Sequence, residues 1–259
     1  MLRWRLVTAL ILAPVVLAAI LYGGWAVFTL ILIVVALAAY ELANALKPLP
    51  FLAAFGTGAF PVLLSIPYGV NGALGGASLS VPWALFWLVG QPEVRTLEAL
   101  LTFFLMAIWV GTPLAYLGLM GEEPTYGEYL ILVAVVGPWI SDAGAYFAGR
   151  FFGRHLIFPN LSPKKTVEGA VGGLLLTIVV AGFFAYEFLN LSPIEATILG
   201  LVISVLSQAG DLFESILKRI LDLKDLGHAL PGHGGILDRI DSLLFTAPAV
   251  YYLYALFAP

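Results

Sequence analysis

The segment from Ser215 to Asp241, SILKRILDLKDLGHALPGHGGILDRID, concentrates the groups of this chain that can do chemistry. With Glu214 just upstream it carries nine charged residues, in a sequence of 259 that has only 12 Lys and Arg and 16 Asp and Glu. It also carries two of the three histidines. Cations, carboxylates and glycines in one stretch suit a phosphate-bearing ligand and a hard metal ion. The flanking sequence is apolar, and charge beside lipid is expensive, so such a cluster is a functional site by default.

The carboxylates come in two groups. Ser207, Asp211, Glu214 and Lys218 recur at i, i+4, i+7 and i+11 and so share one helix face. Asp211 precedes Lys218 by seven residues, roughly 10 Å of helix, which places it inside a membrane but near one rim. A plain alternative is a structural pair in which Lys218 neutralises Asp211 or Glu214. Asp238 and Asp241, spaced i, i+3 with Arg239 between them, open the last apolar segment. A helix N-terminus favours carboxylates, so capping is the simple role for either one. Two on one face exceed what a cap needs. Asp142, in GPWISDAGAYFAGR, is a further intramembrane acid two turns before Arg150. Hard oxygen ligands in this number suit Mg²⁺, which takes one or two carboxylates and fills its shell with water and substrate phosphate. With no Cys and sparse His, zinc does not fit.

Pro231–Gly235, PGHGG, lies just before Asp238. Its glycines let backbone approach a ligand closely, and a following helix start offers N–H groups to phosphate. Lys224, His233 and Arg239 beside it favour an anion. His233 serves equally as an ordinary hydrogen-bonding residue. A second basic stretch runs from Gly149 to Gly173, with Lys164 and Lys165 just before an expected helix start. Its simpler reading is a loop that meets anionic headgroups.

The elements that must position these groups are membrane helices. The chain is 61% hydrophobic and 11% charged, with a mean hydropathy of +1.00; soluble domains carry about 25% charge. Nine apolar stretches are expected to span: residues 6–22, 25–42, 51–68, 81–89, 97–119, 129–147, 170–188, 194–217 and 243–257. The fourth is short unless it extends backwards through Leu74. If nine spans alternate from a cytoplasmic N-terminus, all 12 Lys and Arg fall on the inside, and the links 23–24, 69–80, 120–128 and 190–193 carry none. The fold class expected is therefore an all-α polytopic bundle. Residues 1–120 would be scaffold helices, and residues 121–259 would carry a site open to the cytoplasm. The N-terminus looks like a secretory signal, but only Gly23–Gly24 separates it from the next apolar run, which predicts a retained helical hairpin. No soluble basic surface exists for nucleic acid, and no internal repeat is present of the kind many carriers show. Oligomeric state is left open, a homo-oligomer being compatible.

At its two charged stretches the sequence resembles the phosphatidate cytidylyltransferase family, the CDP-diacylglycerol synthases. The resemblance is carried by Ser215, Lys218-Arg219, Lys224-Asp225, Leu230 to Gly235 and Asp238-Arg239-Ile240-Asp241. Upstream it is carried by Ser141-Asp142 with Gly144-Ala145-Tyr146, by Ser162 to Thr166, and by Gln208, Gly210-Asp211 and Glu214-Ser215. It departs at Val167, where such proteins commonly have Trp. The resemblance implies an inner-membrane enzyme of phospholipid biosynthesis that joins CTP to phosphatidic acid with Mg²⁺, the number of ions being open. It implies Asp211 and Asp238 as metal ligands and catalytic groups, with Lys218 and Asp241 also catalytic. It implies that Asp142, Lys164, Lys165, Ser215, Arg219, Lys224, His233 and Arg239 contact the substrates. Two other readings are a CTP-dependent kinase of a polyprenol or similar lipid and an ion-coupled carrier of a phosphorylated solute.

Overall fold

The computed structural model describes residues 2–46, 49–91, 93, 95–159, 161–223, 225–227, 229 and 234–258. Two of the expected site residues, Lys224 and His233, lie outside the described residues. The chain forms two compact units. The first comprises residues 1–123 and 225–239, and the second residues 124–224 and 240–259. Gly234 and Gly235, just before Asp238, thus fold with the N-terminal helices.

The first unit opens with α1 (Leu2–Tyr22), α2 (Gly24–Ala45) and α3 (Phe51–Gly90). It continues through α4 (Leu97–Phe104), a π-helical stretch (Leu105–Gly111) and α5 (Thr112–Gly121), which together run as one 25-residue apolar rod. The core lies among α2, α3 and this rod, where Val35, Leu42, Val62, Met106 and Leu114 are buried. Thr96 caps α4 by accepting from the Ala99 amide at 3.2 Å.

Within α3 the chain folds back on itself at Gly69, whose φ of 59° and ψ of −139° are not helical. A residue with a Cβ rarely adopts that geometry. The two arms pack as a hairpin: Ser80 Oγ donates to the Thr57 carbonyl at 2.9 Å and Trp83 Nε1 to the Ala53 carbonyl at 3.0 Å. The expected link over residues 69–80 is therefore helix, and the short fourth stretch is the end of an arm that reaches back to Val70. The third and fourth expected stretches are thus the two arms of one helical hairpin, and the number of separate long apolar helices differs from nine. Among the described residues seven helices are long and apolar enough to cross a membrane, α3 being a single bent element of 40 residues, with Leu12–Tyr22 as a shorter apolar helix. The chain is an integral membrane protein of α-helical class.

The second unit contains α6 (Gly127–Phe152), a two-stranded antiparallel hairpin of β1 (Leu156–Phe158) and β2 (Ser162–Thr166), α7 (Val167–Phe188), α8 (Pro193–Ile220) and the body of α9 (Leu237–Phe257). Small residues let α6 and α7 approach closely: a side chain at Gly144 would meet the Gly172 carbonyl at 2.8 Å, and one at Gly173 the Ser141 carbonyl at 2.7 Å. A capping box of Ser192 and Glu195, with Pro193 at the first helical position, starts α8. The basic stretch expected as a loop is thus partly a β-hairpin, and Lys164 and Lys165 lie on β2. Thr166 ends that strand and caps α7, accepting from the Gly169 amide at 3.1 Å.

Candidate functional site in the second unit

Asp211 and Glu214 lie on α8 at i and i+3, so the helix brings both carboxylates to one face. Asp241 comes from α9, and Gly210 decides how near it sits. A Cβ at Gly210 would meet the Asp241 carbonyl at 2.6 Å and Ser242 Cα at 2.9 Å, so only glycine permits this backbone approach. Ser242 Oγ, donating to the Ser207 carbonyl at 3.0 Å, fastens the crossing. A tilted contact of Phe213 with Phe245, ring centroids 5.6 Å apart, extends it.

The result is a three-carboxylate cluster. Asp211, Glu214 and Asp241 each offer an oxygen, and these oxygens lie within 4.8 Å of one another. Glu214 is 3% exposed and Asp241 8%. Like charges this close in a low dielectric repel strongly, so the cluster needs cations. Two lysines supply them. Lys218 Nζ lies 2.7 Å from Glu214 Oε2, one turn along α8. Lys165 Nζ, delivered by β2, lies 2.6 Å from Asp211 Oδ2. The structural pair of Glu214 and Lys218 weighed from the sequence therefore exists, inside a larger group. Ser207 Oγ, one turn before Asp211, is buried and has no hydrogen-bond partner among the described residues. Three clustered carboxylates offer hard oxygen donors of the kind a divalent cation takes, so their chemistry fits Mg²⁺.

The basic hairpin is held in place from α7. Glu168 accepts from the Arg154 amide at 3.0 Å and from the His155 amide at 3.3 Å, and its other oxygen lies 2.6 Å from His155 Nδ1. One carboxylate thus fixes the entry to the hairpin that presents Lys165. Lys164 beside it is exposed. Asp142 is exposed on α6, and its neighbour Ser141 shares a 3.1 Å hydrogen bond with Ser204 of α8. Ser215 is half-buried and Arg219 exposed, both on α8.

Asp238 and Arg239 belong to the first unit, at the start of α9. Asp238 Oδ2 accepts from the Gly235 amide at 2.9 Å, and Arg239 is exposed. In the same unit is a residue that sequence reading passed over. Glu41 of α2 is 2% exposed and receives the amides of Ala229, Ile236 and Leu237. Its signal was present: it is an acid in the apolar run 25–42, where burial of a charge is costly.

Two comparisons place the chain. A model of the cytidylyltransferase family matches residues 3–257. A protein of Bacillus subtilis named phosphatidate cytidylyltransferase is 44% identical over 155 residues, 60% of this chain and 58% of its own length. A Staphylococcus saprophyticus protein of the same name is 36% identical over 208 residues, 73% of this chain and 80% of its own length. A Staphylococcus aureus protein, also so named, is 39% identical over 156 residues, 58% of this chain and 60% of its own length. The aligned part of this chain therefore spans about three fifths of the Bacillus subtilis and Staphylococcus aureus proteins. A family match that runs nearly end to end means that this chain belongs to the cytidylyltransferase family.

Proposed function

We propose that the protein transfers a cytidylyl group from CTP to phosphatidic acid, giving CDP-diacylglycerol and pyrophosphate, at the cytoplasmic face of the inner membrane. The observation that carries this reading is the convergence of Asp211, Glu214 and Asp241 with Lys165 and Lys218 on membrane helices. The names of the three relatives support it.

The chemistry asks little covalent help from the protein. A phosphate oxygen of the lipid attacks the α-phosphorus of CTP. A P–O bond forms there as the bond to the bridging oxygen breaks, and pyrophosphate leaves with that electron pair. The attacking oxygen is already anionic near neutral pH, so no general base is required. What remains is positioning and charge neutralisation, as in phosphoryl transfer generally. Asp211, Glu214 and Asp241 would hold the divalent cation, and Asp238, one helical turn before Asp241 in the sequence, is the further ligand that spacing offers. Bound there, the cation would offset the charge of the phosphates. Lys165, Lys218 and Arg219 would bind phosphate oxygens, with Lys164, Lys224, His233 and Arg239 drawing the two anions to the rim. Asp142 and Ser215 are supporting polar contacts.

Purified protein in liposomes containing phosphatidic acid, with Mg²⁺ and CTP, tests the reading. Label on the α-phosphate should enter the lipid, and label on the γ-phosphate should leave as pyrophosphate. A γ label in the lipid would mean a lipid kinase. Accumulation of solute without transfer would mean a carrier.

A further inference from the structure

We infer that Glu41 is a positioning residue for the reaction, holding Ala229 and the start of α9 in their working geometry. The inference rests on the proposed cytidylyl transfer. Glu41 Oε1 accepts from the Ala229 amide at 3.2 Å and from the Ile236 amide at 2.8 Å, while Oε2 accepts from the Leu237 amide at 3.1 Å. One side chain therefore joins Ala229 to Ile236 and Leu237 at the start of α9. It also occupies first-turn donors of α9 that no carbonyl within the helix can reach.

Space around the carboxylate has been cleared for it. A Cβ at Gly227 would collide with Glu41 Cδ and Cγ, and one at Gly235 would lie 2.7 Å from Glu41 Oε2 and 2.8 Å from Asp238 Oδ2. Gly235, which reads in the sequence as a ligand-approach glycine, and Gly227 are thus small because Glu41 fills their space. Gly235 is the hinge of the arrangement: its amide donates to Asp238 at 2.9 Å, and its neighbours Ile236 and Leu237 donate to Glu41. The carboxylate on α2 so fixes the backbone from which Asp238 and Arg239 project. Buried hydrogen bonds to a charged group in low dielectric are strong and directional. A group displaced by about 1 Å from its working geometry can cost on the order of 10²-fold in rate.

The decisive variant is Glu41→Gln, which keeps volume but replaces one acceptor oxygen by an NH₂ that faces an amide donor. It should lower kcat per folded molecule at least tenfold, with KM for phosphatidic acid near that of the unmodified protein and some fall in melting temperature from the mismatched buried donor. A thiol placed at Ala229 in this cysteine-free chain should react with a maleimide at least fivefold faster in the Gln background. A purely structural role would lower the melting temperature and the yield of folded protein while leaving kcat per folded molecule unchanged, and that result overturns the inference. If Glu41→Gln does not fold, Glu41→Asp decides: it keeps the carboxylate but shortens the reach. Reduced kcat with a native melting temperature supports the inference, and native kcat overturns it. An unmodified protein that releases no pyrophosphate from CTP would sink the transfer reading. With an active unmodified protein, an unchanged thiol rate in Glu41→Gln would sink the role of Glu41 alone.

Discussion

Lys165 Nζ lies 2.6 Å from Asp211 Oδ2, which ties the basic hairpin to the acidic face of α8. The two residues come from stretches that read as separate motifs, a rim of lysines and an intramembrane acid. Their pairing makes them one site. Both partners are partly exposed, with side-chain accessibilities of 28% and 38%, so water screens the pair and it contributes little to stability. Under the proposed function its value is placement: it holds an ammonium beside the carboxylates proposed to bind the cation.

Lys165→Gln should therefore reduce turnover more than it reduces stability. Loss of one phosphate-directed charge is expected to lower kcat/KM for CTP by about 10- to 100-fold, or roughly 1.4 to 2.7 kcal/mol of barrier. Lys165→Arg should recover part of it. Steady-state kinetics beside a thermal melt in detergent check this. Equal losses in the Gln and Arg variants would show that position, rather than charge, is what matters.

Asp→Asn at Asp211, Asp238 and Asp241 separates the carboxylates. Each change keeps size and removes a hard anionic ligand. We expect losses of at least about 10²-fold at Asp211 and Asp241, roughly 2.7 kcal/mol of barrier, with membrane insertion intact because removing an intramembrane charge lowers the cost of burial. The Asp211 and Asp241 losses should be less than multiplicative in the double variant, as residues serving one ion act together. A matching non-additivity between Asp211 and Asp238 would place Asp238 at the same ion. Near-normal turnover of Asp238→Asn at low Mg²⁺ would remove it.

Gly210→Ala tests the crossing of α8 and α9. The added methyl meets the Asp241 carbonyl, and backbone cannot swing aside as a long side chain can. A cost of about 1 to 3 kcal/mol is expected for overpacking. Activity should fall as well, because Asp241 moves away from Asp211. The same substitution at Gly75, which nothing crowds within 4 Å, should leave both melting and turnover near normal.

Membrane orientation is checked by single cysteines at Lys165, Lys224 and Glu123 in the cysteine-free chain. With a cytoplasmic N-terminus, impermeant maleimide applied outside should label Glu123→Cys and spare the other two. Outside labelling at Lys165→Cys or Lys224→Cys would invert the assignment.

Much of the fold was legible because membrane helices are written in composition. Apolar runs long enough to span announce themselves, and the terminal signals at Thr166 and at Ser192 with Glu195 are local chemistry. The acid spacing on α8 was legible too, since 3.6 residues per turn fixes which side chains share a face. Hydropathy placed a reversal after residue 68 but could not show how tight it is, because one glycine with positive φ turns the chain and the expected link over 69–80 is helix. The β-hairpin under Lys164 and Lys165 is too short for an alternation signal. Nor could spacing pair Asp211 with Lys165, bring Asp241 against Gly210, or tie Glu41 to Ile236 and Leu237. A sequence determines which residues lie on one helix face and how much charge an apolar environment must neutralise. Which neutralising partner arrives from a distant segment is decided by packing, because only the assembled backbone sets the distances over which charges and hydrogen bonds act.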